Sequence, residues 1–169
     1  GALAMNAGAY GGELSQGVRE AMVLMDGRVQ TLSREELAMG YRTTRVLREG
    51  GIVLSAVLDL KEGDASQIAE TMDELNRRRR EKQPLSFPSA GSTFKRPEGY
   101  FAGALIEQAG LKGYAIGGAQ VSEKHAGFLI NRGGATASDL LRLIEYVQER
   151  VYAQSGVRLE TEVRICGVD

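Results

Sequence analysis

A chain of 169 residues and 18.2 kDa is long enough for one domain or two small ones. With 43% hydrophobic and 25% charged residues and no apolar run that could span a bilayer, it excludes a disordered chain and a membrane-spanning helix, and a formal net charge of -1 gives no global field that would favour nucleic acid or an anionic membrane. A single cysteine, Cys166, and a single histidine, His125, exclude an internal disulfide framework, a cysteine-based zinc cluster and a multi-histidine metal site, so no metal is expected.

In chain order, residues 1–5 lack the basic flank and apolar stretch of a signal peptide, and the expected compartment is the cytoplasm. The dense Gly/Ala motif at 6–13 follows at once with no element before it, so the chain is expected to begin inside a domain. Residues 18–26 alternate apolar and polar, Asp26-Gly27 turns, and 28–32 continues, which predicts a hairpin with a type I′ turn. Ser33-x-x-Glu36 is a capping box predicting a short helix that ends near Gly40. Residues 52–60 predict a strand. A helix is predicted from Asp64, with Ile68, Met72 and Leu75 on one face, running into the basic stretch 77–82 before Pro84. The proline-bearing stretch 83–99 reads as a structured loop or a domain boundary, and 102–109 as a short helix. Short glycine-rich strands are expected within 111–121, and another strand over 127–131. Leu140, Leu141, Leu143, Ile144, Val147 and Val151 recur at helical spacing and predict a long helix over 136–154. Residues 157–165 alternate and predict a last strand, with Cys166 as a buried apolar residue. Helices interleaved with hairpin-type strands make the expected class α+β, divided into a β-rich part at 1–70 and a compact α+β part at 71–169.

The 22 glycines gather in loops. Several of those loops are similar to one family. Met5-Asn6-Ala7-Gly8-Ala9-Tyr10-Gly11-Gly12-Glu13, Gly40-Tyr41-Arg42-Thr43-Thr44, Pro88-Ser89-Ala90-Gly91-Ser92-Thr93-Phe94-Lys95-Arg96-Pro97, the run from Ala102 to Gly113, and the tail Leu159-Glu160-Thr161-Glu162-Val163-Arg164 together resemble the UDP-N-acetylenolpyruvoylglucosamine reductases of peptidoglycan synthesis. The resemblance implies the C-terminal part of an FAD-binding domain at 1–70, with its N-terminal half missing, and a complete substrate-binding domain at 71–169. The short span between Arg42 and Asp64 resembles the family's shorter subtype, which lacks a tyrosine-bearing loop. FAD and NADPH are the implied cofactors, and a UDP-sugar enolpyruvyl ether is the implied small-molecule substrate. The full-length protein is expected to be a monomer with no nucleic-acid or membrane partner. The chain alone is expected to be inactive and unable to hold FAD tightly.

The implied chemistry assigns tasks to residues. Hydride addition to the enolpyruvyl double bond builds negative charge toward the substrate carboxylate, and the adjacent carbon must then take a proton. Arg42 fits the carboxylate, because a guanidinium is always charged and can bind it through two bonds; without the resemblance, pairing with Glu35 or Glu36 is the favoured reading, and the match to Gly40-Tyr41-Arg42 reverses that preference. Ser92, behind Gly91, fits the proton donor; a turn or cap serine is the plainer reading. Glu162 fits as a carboxyl that shares the developing charge, and Glu160 lies two residues before it on the same face of a strand. The resemblance lays Asn6, Ala7, Gly8 and Ala9 against the flavin ring, directs Arg164 to the flavin or the substrate, and gives Tyr10 a substrate contact. Arg78 and Lys82, four residues apart, fit a diphosphate, or else form an ordinary solvated helix end. Lys95, Arg96 and His125 complete the implied substrate contacts. A non-catalytic UDP-sugar-binding module is the competing expectation, while RNA binding through 77–82 lacks the aromatics that would stack bases.

Overall fold

The computed structural model describes residues 1–167 and divides the chain into two compact units, Gly1–Asp64 and a second from Ala65 on. The expected α+β class holds: helices accompany antiparallel sheets. The division falls at 64/65 rather than 70/71, and the long helix, which begins at Ala65 rather than Asp64, belongs whole to the second unit.

The first unit opens with a two-stranded ribbon, β1 (Gly8–Ala9) and β2 (Gly12–Glu13), where 6–13 reads as a loop in the sequence. Its tip, Tyr10-Gly11, has positive φ at both residues, 52° and 83°, the requirement of a type I′ turn. Next come β3 (Val18–Met25), β4 (Arg28–Ser33) and β5 (Ile52–Leu58), in the sheet order β4-β3-β5. Asp26-Gly27 turns the β3–β4 hairpin with φ of 51° and 72°, as the Asp-Gly signal predicts. The helix expected from Ser33 is a single turn. Both capping-box bonds form, Ser33 N to Glu36 Oε2 at 2.8 Å and Glu36 N to Ser33 Oγ at 3.3 Å, but Ala38 takes a left-handed backbone that ends the turn as Leu37 enters the core. A four-residue helix, α1 (Arg45–Arg48), capped by Thr44, has no periodicity long enough to read from sequence. Val18, Val23, Met25, Leu32, Leu37 and Val46 form the core of this unit.

The second unit starts with α2 (Ala65–Lys82), on which no residue is buried; the Ile68–Met72 face is exposed. Lys124 Nζ donates to the carbonyl of Arg80 at 2.6 Å and so satisfies an acceptor in its last turn. A four-stranded sheet follows in the order β6-β9-β8-β7, from β6 (Ser89–Ser92), β7 (Ala115–Ile116), β8 (Ala119–Val121) and β9 (Phe128–Asn131). Two helices pack against it, α3 (Ala102–Gln108) and α4 (Ala137–Ser155). The predicted stripe on α4 buries Leu143, Ile144, Val147 and Val151, each contributing on the order of 1.5–3 kcal/mol. Thr136 and Asp139 cap its start reciprocally, and Gly156 ends it at φ 71°. The β7–β8 turn lies so close to this capped end that a Cβ on Gly118 would stand 2.4 Å from the carbonyl oxygen of Gly133.

Two expectations fail here. Residues 157–165 form no strand; only Thr161 pairs, in one bridge with Phe94, and the chain bends at 162–163. The alternation is real, since Leu159 is buried between exposed Arg158 and Glu160, but it reports burial rather than a ladder. Beyond the bend the chain leaves the core, so Cys166 is exposed rather than buried.

Candidate active site

In the first unit the structure brings Asn6, Gly8, Tyr10 and Arg42 together. Gly40 and Thr43 exchange backbone bonds of 2.9 and 3.2 Å across a tight turn with Tyr41 and Arg42 at its tip. Arg42 takes a left-handed backbone, φ 55°, and its Nη2 lies 3.5 Å from the carbonyl oxygen of Gly8 on β1. Its guanidinium carbon stands 5.2 Å from the centre of the Tyr41 ring. Tyr10 caps the facing ribbon and is half exposed. Asn6 is buried with φ 46°. Among the described residues, five non-glycine residues have positive φ, and three of them are Asn6, Tyr10 and Arg42. Strained backbone gathers where function over-determines the conformation, and here it gathers around the predicted arginine.

The ribbon beside Arg42 offers a face poor in side chains. Gly8, Ala9, Gly11 and Gly12 supply little beyond backbone. Gly8 is required, because a Cβ there would lie 2.9 Å from both Glu13 Cγ and the carbonyl oxygen of Gly12. The Ala7 N–H and carbonyl are spent inside the unit, on the Ala2 carbonyl at 2.8 Å and the Leu14 N–H at 2.9 Å. A planar ring laid on Ala7 would meet it by van der Waals contact, not by hydrogen bonds.

In the second unit Ser92 and Glu162 are held against one residue, Thr93. Between Ser89 and Ser92 the β6–β9 register shifts, and Gly91 sits in that irregularity at φ 87°. A bulge of this kind re-aims the next side chain, and Ser92 is exposed while Thr93 is buried. The Thr93 carbonyl accepts from the backbone N–H of Glu162 at 2.8 Å; its own N–H donates to Gly127 at 2.8 Å, and its Oγ1 accepts from Leu129 N at 3.2 Å. Thr93 therefore ties the serine strand to β9 on one side and to the glutamate segment on the other. Sequence reasoning passed over it, because its partners are 34 to 69 positions away. Glu160, the alternative carboxylate, points elsewhere: its Oε2 pairs with Lys95 Nζ at 3.1 Å. Glu162 is half buried.

The remaining predicted contacts are placed as follows. Arg96 lies over the Phe101 ring at 4.0 Å and donates to the Tyr100 carbonyl at 3.3 Å. Arg164 lines an open cleft of about 690 Å³ in the second unit, together with Ser89, Thr93, Asn131, Leu140 and Ile144. Arg78 and Lys82 lie exposed on α2, where Arg78 pairs with Glu74 at 2.6 Å and Arg77 with Glu74 and Glu81, as in an ordinary solvated helix.

His125 is half buried. Its Nδ1 accepts from Gly127 N at 3.1 Å, and its ring meets Phe128 edge-on at 5.0 Å. Any ligand contact therefore falls to Nε2. Desolvation holds this imidazole below its ordinary value, with the Lys112 cation acting in the same direction. The folded state thus favours neutral His125. That contribution is complete above the unfolded value near 6.5 and is lost as pH falls toward the depressed folded value. The urea midpoint is expected to drop between about pH 7 and about pH 5.5, and His125→Asn, which keeps an acceptor for Gly127 N–H without titrating, is expected to reduce that drop. An equal drop in the variant would assign the pH dependence to other groups.

Comparison with known proteins agrees with the resemblance. Residues 83–166 match the family model of the UDP-N-acetylenolpyruvoylglucosamine reductase C-terminal domain. A UDP-N-acetylenolpyruvoylglucosamine reductase of Clostridium perfringens is 52% identical over 170 residues, covering 100% of this chain and 56% of that protein. One of Latilactobacillus sakei is 56% identical over 168 residues, covering 99% of this chain and 55% of that protein. The crystal structure of the reductase from Thermus caldophilus superposes with a TM-score of 0.84 at 39% identity, covering 97% of this chain and 58% of that one. The chain thus spans little more than half the length of the relatives it matches. On these matches, the chain belongs to the UDP-N-acetylenolpyruvoylglucosamine reductase family.

Proposed function

We propose that the chain serves an enzyme that reduces the enolpyruvyl ether of UDP-N-acetylglucosamine to UDP-N-acetylmuramate during peptidoglycan precursor synthesis, as a monomer in the cytoplasm. The first unit contributes to flavin binding and the second binds the UDP-sugar. The observation that carries this reading is the juxtaposition, through Thr93, of an exposed serine hydroxyl on a bulge with the Glu162 segment. FAD, when bound and reduced by NADPH, would supply the hydride; the side-chain-poor ribbon at Gly8, Ala9, Gly11 and Gly12 is chemically suited to a flat ring, and Asn6, Ala7 and Arg164 would be further contacts.

The chain's own groups do the rest. Arg42 holds the substrate carboxylate and draws charge toward it as hydride adds to C3. The Ser92 hydroxyl gives its proton to C2; a serine is a weak acid in water, but the carbanion at C2 is a far stronger base. Glu162 shares the charge that develops on the substrate. Tyr10, Lys95, Arg96 and His125 are assigned to substrate contacts, and Arg78 with Lys82 to the diphosphate. The α2 ion pairs are exposed and individually weak, so an incoming diphosphate could displace Glu74 from Arg78 at small cost.

The test is turnover of the enolpyruvyl substrate by the flavin-loaded enzyme in D2O. NADPH is expected to be consumed one for one, with one solvent deuterium appearing at C2 of the lactyl product. UDP-sugar binding without NADPH consumption would instead make this a non-catalytic module.

A further inference from the structure

Two buried polar side chains of the first unit, Asn6 and Thr44, grip the arginine turn at both ends. At one end Asn6 Nδ2 donates to the Gly40 carbonyl at 3.1 Å. At the other Thr44 Oγ1 donates to the Ala4 carbonyl at 2.6 Å. Tyr41, Arg42 and Thr43 lie between these anchors. The same Nδ2 also donates to Glu13 Oε2 at 3.0 Å, and Oδ1 accepts from Ser15 N at 2.9 Å. One carboxamide thus joins the ribbon, the segment after it, and the turn 34 residues away. The Glu13 carboxylate fixes which way that amide faces, since only its NH2 end can bond two acceptors. Gly8, whose carbonyl the Arg42 guanidinium approaches, pairs directly with Glu13 across the ribbon.

We propose that Asn6, oriented by Glu13, is a positioning residue for Arg42: it fastens the 40–43 turn to the ribbon and so sets where the guanidinium stands. This rests on the role proposed above for Arg42. Asp at position 6 keeps the acceptor for Ser15 N–H but loses the donor to Gly40 and sets one carboxylate against another. The turn then loses its side-chain anchor at Gly40 while keeping the one at Thr44. Misplacing a binding group by about an ångström lowers catalytic efficiency on the order of 10²-fold.

The test is a cycle in the flavin-loaded enzyme with Asn6→Asp, Arg42→Ala and the double variant, joined to hydrogen exchange of the Gly40 and Thr43 amides, which bond across the turn. Asn6→Asp is expected to lower kcat/KM for the enolpyruvyl substrate by about tenfold to hundredfold when Arg42 is present, by less than about twofold in the Arg42→Ala background, and to speed exchange at both amides. Glu13→Gln, which retains an acceptor for Nδ2, is expected to recover most of the activity that Glu13→Ala loses; this pair serves equally if Asn6→Asp does not fold. Equal Asn6→Asp losses in both backgrounds, or unchanged exchange, would overturn the proposal while leaving the reductase reading intact. Full turnover by Arg42→Ala alone would instead overturn the role on which it rests.

Discussion

Replacing Ser92 by alanine is expected to lower turnover of the enolpyruvyl substrate by about 10²–10⁴-fold, the range typical for removing a positioned proton donor, while NADPH still reduces the flavin at the unmodified rate. The split follows from where the hydroxyl stands. Ser92 is exposed at the end of β6, and its backbone bonds survive the change because the strand is anchored by Thr93 to Gly127 and to Glu162. The fold is therefore expected to shift by no more than about 0.5 kcal/mol in a denaturant titration, the usual limit for a surface substitution. Loss of turnover with an intact fold and intact flavin reduction isolates the hydroxyl as the missing part. Ser92→Cys, which retains an acidic hydrogen at the same carbon, is expected to fall between the two. If Ser92→Ala reduces substrate at the original rate, the donor is another group or water, and the bulge at Gly91 has no catalytic meaning.

How far the fold could be read from sequence depended on the length of each signal. The stripe on α4 and the alternation around Asp26-Gly27 each extend over several residues, and both gave elements that match the structure in type and position. Residues 52–60 and 102–109 were similarly legible. The ribbon at β1–β2 was not, because its tip places Tyr10 at a position where Asn or Gly is the recognisable choice. Strand β6 was masked by the prolines around it, and α1 is a single turn. The pattern at 157–165 carried correct information about which residues face the core and none about hydrogen bonding, since an extended segment with a single bridge alternates as a strand does. In the candidate site, the residues given chemical tasks were those with reactive or charged groups at their tips. Asn6 was named for its backbone, whereas its buried carboxamide makes the more consequential contacts; Glu13 and Thr93 stand inside the matching motifs but were given no role. Their roles lie in bonds to backbone groups distant in sequence, and nothing local in the chain encodes such a partner.

Arg42→Gly is expected to leave the protein as stable as before, or slightly more so, while reducing kcat/KM for the enolpyruvyl substrate by about 10²–10³-fold. The two halves of this outcome have separate physical origins. At φ 55° a residue with a Cβ bears a left-handed penalty of about 1–2 kcal/mol, which glycine does not. Against that stand the entropy of a more flexible residue, about 0.5–1 kcal/mol, and the loss of the guanidinium's contacts, among them the long one to Gly8 and the Tyr41 ring face. These nearly cancel, so the thermal midpoint is expected to move little. Activity has no such compensation: removing one partner from a desolvated charge pair costs about 2–5 kcal/mol, equivalent to factors from about 30 to several thousand. Arg42→Lys keeps the charge but not the two-pronged geometry and is expected to retain an intermediate rate. A residue kept in a strained conformation that its replacement relieves, at the expense of turnover, is selected for what it binds. If instead the glycine variant unfolds more readily while retaining turnover, Arg42 braces the turn, and the substrate carboxylate is held by some other cation.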